Sequence, residues 1–285
     1  MDTYLEVLKR ELRPAMGCTE PAASALAGAK AAELLGMVPR SLEIVTSRDM
    51  VKNAMGVGIP NCSLKGIQAA VALGASGGDC EKGLSILSSL TKEQIEKASA
   101  IPVSLTIESG VPALYIKVIA KANKAVSIAV ISGEHDRFSF LQQNDTILRE
   151  LAVDACGTEL KAEDEQFLDS TSLADILQWV EQAPQEAIAL VLDAKDTNLV
   201  IARHAMDHSY GLSVGSIAAE SIGNEPNNLS EAFSLGSAMA AAASDARMAG
   251  CPLPVIINSG SGNQGITLTV PLAVVADYLK VPDEK

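Results

Sequence analysis

Few residues of this chain have the chemistry of a reaction centre, and they stand in separate short stretches. Cys18 lies in Met16-Gly17-Cys18-Thr19-Glu20-Pro21. Directly after it, Ala22 to Leu35 is a helix pattern of Ala, Leu, Lys and Glu closed by Gly36. Thr19 is placed to cap that helix, with Glu20 and Pro21 in the first turn. Cys18 is then expected one residue outside a helix N-terminus, where unpaired N–H groups and the positive dipole end favour a thiolate. A thiolate is a nucleophile or a soft metal ligand. The alternative is a small apolar residue tucked under the start of a helix.

A second polar stretch is Asn258-Ser259-Gly260-Ser261-Gly262-Asn263-Gln264-Gly265. It lies between an apolar run, Leu253 to Ile257, that reads as a strand and an apolar helix pattern, Ile266 to Leu279. Three amides, two hydroxyls and three glycines in eight residues exceed what a simple turn needs. A Gly/Ser/Asn loop feeding a helix N-terminus is a device for binding a carboxylate or phosphate. Asn258, Ser259, Ser261, Asn263 and Gln264 are therefore candidate substrate ligands, as are Lys52 and Asn53. Those two open Lys52-Asn53-Ala54-Met55-Gly56-Val57-Gly58-Ile59-Pro60, whose alternating glycines suit a backbone that something approaches closely. That stretch lacks the Gly-Lys-Ser/Thr ending of a P-loop and the full G-x-G-x-x-G of a dinucleotide site. Arg247 is placed either to pair with Asp245 or to hold a substrate carboxylate. His135, in Ser132-Gly133-Glu134-His135-Asp136, is a general base or a surface residue. His204 and His208 share a helix face beside Asp207, a conceivable metal pair, but the H-E-x-x-H arrangement is absent.

The elements that must position these residues follow from the patterning. Tyr4, Leu5, Leu8 and Leu12 have helical spacing, and Pro14 ends that helix. Ser41 to Thr46 alternates as a strand, and Gly66 to Leu73 reads as a helix. Two short helices follow, one over Gly83 to Leu90 and one capped by Thr91. From Pro102 to Leu141 the period becomes two, which implies three or four antiparallel strands with one buried face. Helices are expected from Ser172 to Val180, from Gln185 to about Asp196 and from Leu229 to Gly250. The fold class is α+β: a mostly antiparallel sheet flanked by helices, plus an Ala-rich helical layer. Three consecutive segments are expected, 1–101, 102–200 and 201–285, the last being the start of a helical catalytic domain.

Composition narrows the function. The chain has 285 residues, 48% hydrophobic but only 3% aromatic, so its core is built from Ala, Val, Ile and Leu. The net charge of −13 argues against nucleic acid and anionic membrane surfaces. From Glu134 to Asp169 there are ten acidic and three basic residues, which reads as a solvated excursion. Between Ser209 and Leu279 there are six charged residues, which reads as interior. A charged start and no clean apolar span imply a soluble cytoplasmic protein. Cysteines 18, 62, 80, 156 and 251 form neither a disulfide framework nor a zinc ribbon. They remain as free thiols or as ligands gathered by folding.

Taken together, Gly17-Cys18-Thr19-Glu20-Pro21, Lys52 to Pro60, Ala243-Ser244-Asp245-Ala246-Arg247-Met248-Ala249-Gly250 and Asn258 to Thr267 resemble the L-cysteine desulfidase family. That family is related to the alpha chain of iron–sulfur L-serine dehydratase. The resemblance implies an oxygen-sensitive lyase with a [4Fe-4S] cluster, acting on L-cysteine or L-serine to give pyruvate and ammonia. It implies Cys18 as a cluster ligand. His135 lies where relatives carry a Gly-His turn, although Asp136-Arg137 follows instead of the usual Thr-Asn. Family members continue further, through a helical part with the remaining cluster cysteines; by this likeness the chain is C-terminally shortened and inactive alone. Cys62, Cys80, Cys156 and Cys251 do not match those ligands. One thiol cannot hold the cluster, so none is expected in this chain. The partners expected are a small amino acid and a second copy of the chain in a homodimer. Cys18 is further expected to share one concave site with Lys52 to Pro60 and the Asn258 to Gly265 loop. A non-catalytic module that binds a small anion is the alternative function.

Overall fold

The computed structural model describes residues 2–151, 167, 169–223 and 225–283. It is an α+β fold that divides into two compact units. One, the sheet unit, comprises Ala15–Gly157 and Arg247–Pro254; the other, the helical unit, comprises Met1–Pro14, Thr158–Ala246 and Val255–Lys285. These units do not follow the three consecutive segments. Position 101 falls inside the sheet unit, where strands from both sides of it pair.

In the sheet unit, α2 (Thr19–Leu35) is the central helix. Twelve of its residues are buried and half of them are alanine, so neighbours approach closely on several sides. Against it lies α4 (Gly66–Ala75). A Cβ on Gly74 would stand 1.9 Å from the Ala25 carbonyl oxygen, and one on Gly28 would stand 2.2 Å from that of Val71. Only glycine permits that approach. The other neighbour of α2 is a six-stranded sheet. Its strands are β2 (Ser41–Thr46), β3 (Val103–Ile107), β4 (Tyr115–Ala122), β5 (Ala125–Ser132), β6 (Phe138–Gln143) and β7 (Thr146–Glu150). Their spatial order is β3-β2-β4-β5-β6-β7.

The alternation of β2 and β4 buries Leu42, Ile44, Ile116, Val118 and Ala120 on the face toward α2. Buried Ser127 on β5 donates to the Ala31 carbonyl at 2.5 Å, tying helix to sheet. The pairings are antiparallel except β2 with β3, which is parallel. A parallel neighbour needs a long crossover. Here that crossover consists of α3 (Arg48–Ala54), α4, a 3-10 turn (Cys80–Ser85) and α5 (Lys92–Ala100). Two local expectations are corrected. Gly83 takes a non-helical conformation, so the segment from Cys80 is a kinked 3-10 turn and not a helix over Gly83 to Leu90. Lys52 and Asn53 lie on α3, capped by Ser47, and not in a glycine loop. The predicted cap at Thr91 is a full capping box with Gln94.

The helical unit contains α1 (Thr3–Glu11), α6 (Leu173–Glu181), α7 (Gln185–Asp207), α8 (Val214–Glu220) and α10 (Gly262–Leu279). The long Ala-rich helix is α9 (Leu229–Met248), whose last two residues belong to the sheet unit. Tyr4 stacks on Trp179 at 5.0 Å and meets Phe167 edge-on at 4.8 Å. The Trp179 indole N–H donates to Asp2 at 2.9 Å. Helix α7 runs eleven residues past its expected end at Asp196. Asp196-Thr197-Asn198 looks like a helix terminator, yet Asn198 is buried and bonded. Its Nδ2 donates to the Ile256 carbonyl at 3.1 Å and its Oδ1 accepts from the Ile256 N–H at 2.9 Å. Ile256 is on β8 (Pro254–Ile257); β1 is Arg13–Met16. Of the acidic excursion, β7 is exposed throughout; residues 152–166, and Cys156 with them, lie outside the described residues. Among the described residues no helix is long and apolar enough to cross a membrane.

Candidate active site

Gly17, with φ of 71°, turns the chain into α2, and Cys18 is itself the N-cap of that helix. Thr19 is the first helical residue, so the cap lies one position earlier than the sequence suggests. The Cys18 side chain makes no capping bond. Its Sγ instead donates to Glu20 Oε2 at 2.8 Å. Thr19 Oγ1 donates to the same oxygen at 3.1 Å, and Asn53 Nδ2 reaches Oε1 at 3.2 Å from α3. Glu20 is thus the hub where the starts of α2 and the end of α3 meet.

The electrostatics correct the thiolate expectation. Cys18 is 5% exposed. Burial, and then the Glu20 charge, push its thiol up to about 12, while the Arg247 charge pulls the other way. The dipole of α2 favours a thiolate, but lost hydration and an adjacent carboxylate outweigh it. Burial also pushes the Glu20 carboxyl up. The hydrogen bonds from Cys18, its own backbone N–H and Thr19, with the charge of His135, more than offset this and hold it below its usual range. His135 and Arg247, 115 and 227 residues from Glu20 in sequence, thereby act on the same pair of side chains.

Arg247 is 3% exposed, and its Nη1 lies 3.9 Å from Met248 Sδ. The segment after it is fixed by the loop that follows α3. The Gly58 N–H donates to the Met248 carbonyl at 2.9 Å. A Cβ on Gly58 would stand 2.3 Å from the Ala249 carbonyl oxygen. The alternating glycines do admit a close neighbour, and that neighbour is backbone. Gly56 has nothing within 4 Å of its Cβ position. Of the other candidates on this stretch, Asn53 joins Glu20, whereas Lys52 is an exposed residue of α3.

The Asn258 to Gly265 loop belongs to the helical unit. Ser261 caps α10 and accepts from the Gln264 N–H at 3.3 Å. Asn258 Oδ1 accepts from Ser259 Oγ at 3.1 Å and Gln264 Nε2 at 3.0 Å. Asn263 stands in the first turn of α10. Four of the five polar candidates therefore bond one another and shape the turn. The groups best suited to an anion are the N–H groups of the α10 first turn. In the same unit, His204 and His208 stack with ring centroids 3.9 Å apart, and His204 Nε2 bonds Tyr210 Oη at 3.0 Å. A hollow of about 500 Å³ lined by Met206, Leu235, Met239 and Val274 is also in this unit; it carries no cysteine or histidine.

Glu20 is the residue that sequence reasoning missed as a site member. Its position in the first turn of a helix explained it fully as a dipole partner. The signal was the Cys-x-Glu spacing at a helix start, which sets an acceptor beside the thiol.

A family model described as serine dehydratase alpha chain matches residues 81–285. The chain belongs to the serine dehydratase alpha chain family. It is 38% identical to a UPF0597 protein of Oleidesulfovibrio alaskensis, over 99% of this chain and 66% of that one. It is 37% identical to a UPF0597 protein of Finegoldia magna, over 97% of this chain and 65% of the relative. One from Bacteroides thetaiotaomicron is 38% identical over 96% and 63%. The chain thus spans just under two thirds of the length of these curated relatives. No solved structure matches it.

The cluster that the likeness implies can be tested against these side chains. A [4Fe-4S] cluster is held by cysteine thiolates, three of them where one iron is left open. Among the described residues no group of three or more His, Cys, Asp or Glu is placed to hold a metal ion. Cys18 offers one thiol, hydrogen-bonded to Glu20, and the donor set of the described residues does not fit the cluster by itself.

Proposed function

We propose that the sheet unit binds a small L-amino acid for β-elimination, as a lyase of the dehydratase type, and that L-cysteine is the substrate. The observation that carries this reading is the hydrogen-bonded pair of Cys18 and Glu20 at one helix start, joined by Asn53, on which the charges of His135 and Arg247 also act. Family membership supports the reaction class. The cofactor expected from the resemblance is a [4Fe-4S] cluster with Cys18 as one ligand.

The residues present divide the work as follows. The Arg247 guanidinium holds the substrate carboxylate, for which a buried planar cation with several donors is well suited. His135, the one histidine of the sheet unit, removes the α-proton. The C–H electron pair becomes the Cα=Cβ bond, and the β-substituent leaves with its bonding pair as sulfide, or as hydroxide from serine. The aminoacrylate product tautomerises to an imine, which water converts to pyruvate and ammonia. Cysteine and serine differ only in the leaving group. The resemblance of the motifs around Cys18 to the L-cysteine desulfidase family favours cysteine, whereas the family name favours serine.

The test is anaerobic reconstitution, with ferrous iron and sulfide, of a version of the chain extended to the relatives' length, followed by L-cysteine or L-serine. Pyruvate and sulfide released from L-cysteine, and lost in Cys18→Ser and His135→Gln, are the expected result. Pyruvate from L-serine alone makes it a serine dehydratase. Amino-acid binding without turnover, in the chain and in a version extended to the relatives' length, supports the non-catalytic module instead.

A further inference from the structure

The hollow of about 500 Å³ in the helical unit has no part in the reaction proposed for the sheet unit, and its lining divides by chemistry. The floor is apolar. Leu199 on α7 and Leu235 on α9 are buried. Met206, Met239 and Val274 are half-buried, each with one side packed against the cluster that contains Leu235. The volume falls within the range of small-molecule sites, about 300–1,000 Å³. Two thioether side chains let such a wall adapt to an irregular apolar shape.

The mouth is charged. Arg203 and Asp207 stand one turn apart on α7, and Asp277 stands in the last turn of α10; all three are exposed. Among the described residues none of the three forms an ion pair. Both aspartates also stand at the wrong end of their helices, since α7 ends at Asp207 and α10 at Leu279. A helix C-terminus carries partial negative charge, so an acid there is repelled and a cation is attracted.

We infer that this hollow is a second ligand site, and that it takes an α-amino acid with a large apolar side chain, of the leucine or methionine kind. The Arg203 guanidinium takes the carboxylate through parallel N–H donors. The ammonium has three N–H groups, enough for Asp207 and Asp277 together, and it relieves the repulsion at the two helix ends. The apolar side chain lies on the Leu, Met and Val floor. A hydroxyl buried there would lose its hydration without gaining a partner, which disfavours serine. Tyr278, the other polar residue of the lining, has its hydroxyl committed to the Asn227 carbonyl at 3.4 Å.

The experiment is isothermal titration calorimetry of the 285-residue chain with L-leucine and with isocaproate, the same molecule without the ammonium. L-leucine should bind about 10- to 100-fold more tightly than isocaproate, the range of one charge-assisted hydrogen bond. Arg203→Gln should weaken L-leucine binding by a similar factor, about 10 to 100. Met239→Trp, which fills the hollow, should abolish it. Circular dichroism checks the fold of each variant. Arg203 is exposed, so Arg203→Gln carries the test if Met239→Trp does not fold. Absence of L-leucine binding by the wild type overturns the inference, as do equal affinities for L-leucine and isocaproate. An L-leucine affinity unchanged in either folded variant overturns it too, because the ligand then sits elsewhere in the chain. None of these results touches the elimination proposed for the sheet unit.

Discussion

Cys18 Sγ donates to Glu20 Oε2 at 2.8 Å across a single intervening residue at the start of α2. The thiol is buried and its partner is anionic, so the pair shares one proton that stays on sulfur at neutral pH. This arrangement has consequences on both sides of neutrality.

On the alkaline side, the ordinary thiol value of 9.0 is raised in the folded chain to about 12. Below 9 the protonated thiol is common to both states. Between 9 and 12 the unfolded chain gives up the proton and the folded one keeps it, so stability falls as pH rises. The slope from this group is about 1.4 kcal/mol for each pH unit. Denaturant midpoints at pH 8.5 and 10 should diverge in the wild type more than in Cys18→Ala. At pH 7.5 Cys18 should resist iodoacetamide, and Glu20→Gln, which removes the adjacent charge, should speed alkylation. Rapid modification of wild-type Cys18, read by peptide mass spectrometry, would contradict the buried thiol.

Acid acts through Glu20. Its carboxyl is held below the ordinary 4.5 by the bonds from Cys18, its own N–H and Thr19 and by His135, against the cost of burial. A depressed folded value contributes stability that is present above the unfolded value and lost as pH falls through the folded one. Acid unfolding below pH 4.5 should therefore be shallower in Glu20→Gln than in the wild type. Equal slopes in the two proteins would mean that Glu20 is not the group responsible.

The packing of α2 on α4 sets a different expectation. Gly74→Ala forces a methyl to within 1.9 Å of the Ala25 carbonyl oxygen. Overpacking of this kind costs about 1–3 kcal/mol, more than the gain of up to about 1 kcal/mol from placing Ala in a helix. Gly56→Ala meets nothing within 4 Å and should leave the urea midpoint nearly unchanged. Equal midpoints for both variants would argue against the close helix contact.

Asn198 serves the helical unit as Glu20 serves the sheet unit. It supplies both a donor and an acceptor to Ile256, and its Nδ2 also reaches Thr269 Oγ1 at 3.1 Å. Asn198→Leu has similar volume and leaves the Ile256 N–H and C=O without that partner. Each buried group so orphaned costs about 1–3 kcal/mol. A lower thermal midpoint is expected, with faster amide exchange at Ile256. Unchanged exchange there would show that the side chain does not hold the strand.

Much of the architecture was legible because it is written in local periodicity. Ser41 to Thr46 alternates and is β2 over those same residues. Leu229 begins the Ala-rich helix α9, and Thr91 with Gln94 closes a capping box. Caps, turns and apolar faces depend on neighbours a few residues away, so the sequence displays them directly. The failures have one origin. The helix from Gln185 was expected to end at about Asp196, whereas it continues through Asn198, whose partner Ile256 lies 58 residues on. The parallel pairing of β2 with β3 depends on a crossover whose path no local pattern records.

The same division holds at the site. The sequence by itself determined which groups are present: a thiol at a helix start, a glycine-spaced segment after α3, a histidine turn, and an arginine in an Ala-rich helix. Only the tertiary structure decided what they do to one another. A dipole argument made from Cys18 alone points to a thiolate. Burial and the Glu20 carboxylate reverse it, because desolvation and charge at contact distance outweigh the partial charge of a helix end. Those terms depend on what surrounds an atom in space, including Arg247 from 229 residues further along the chain.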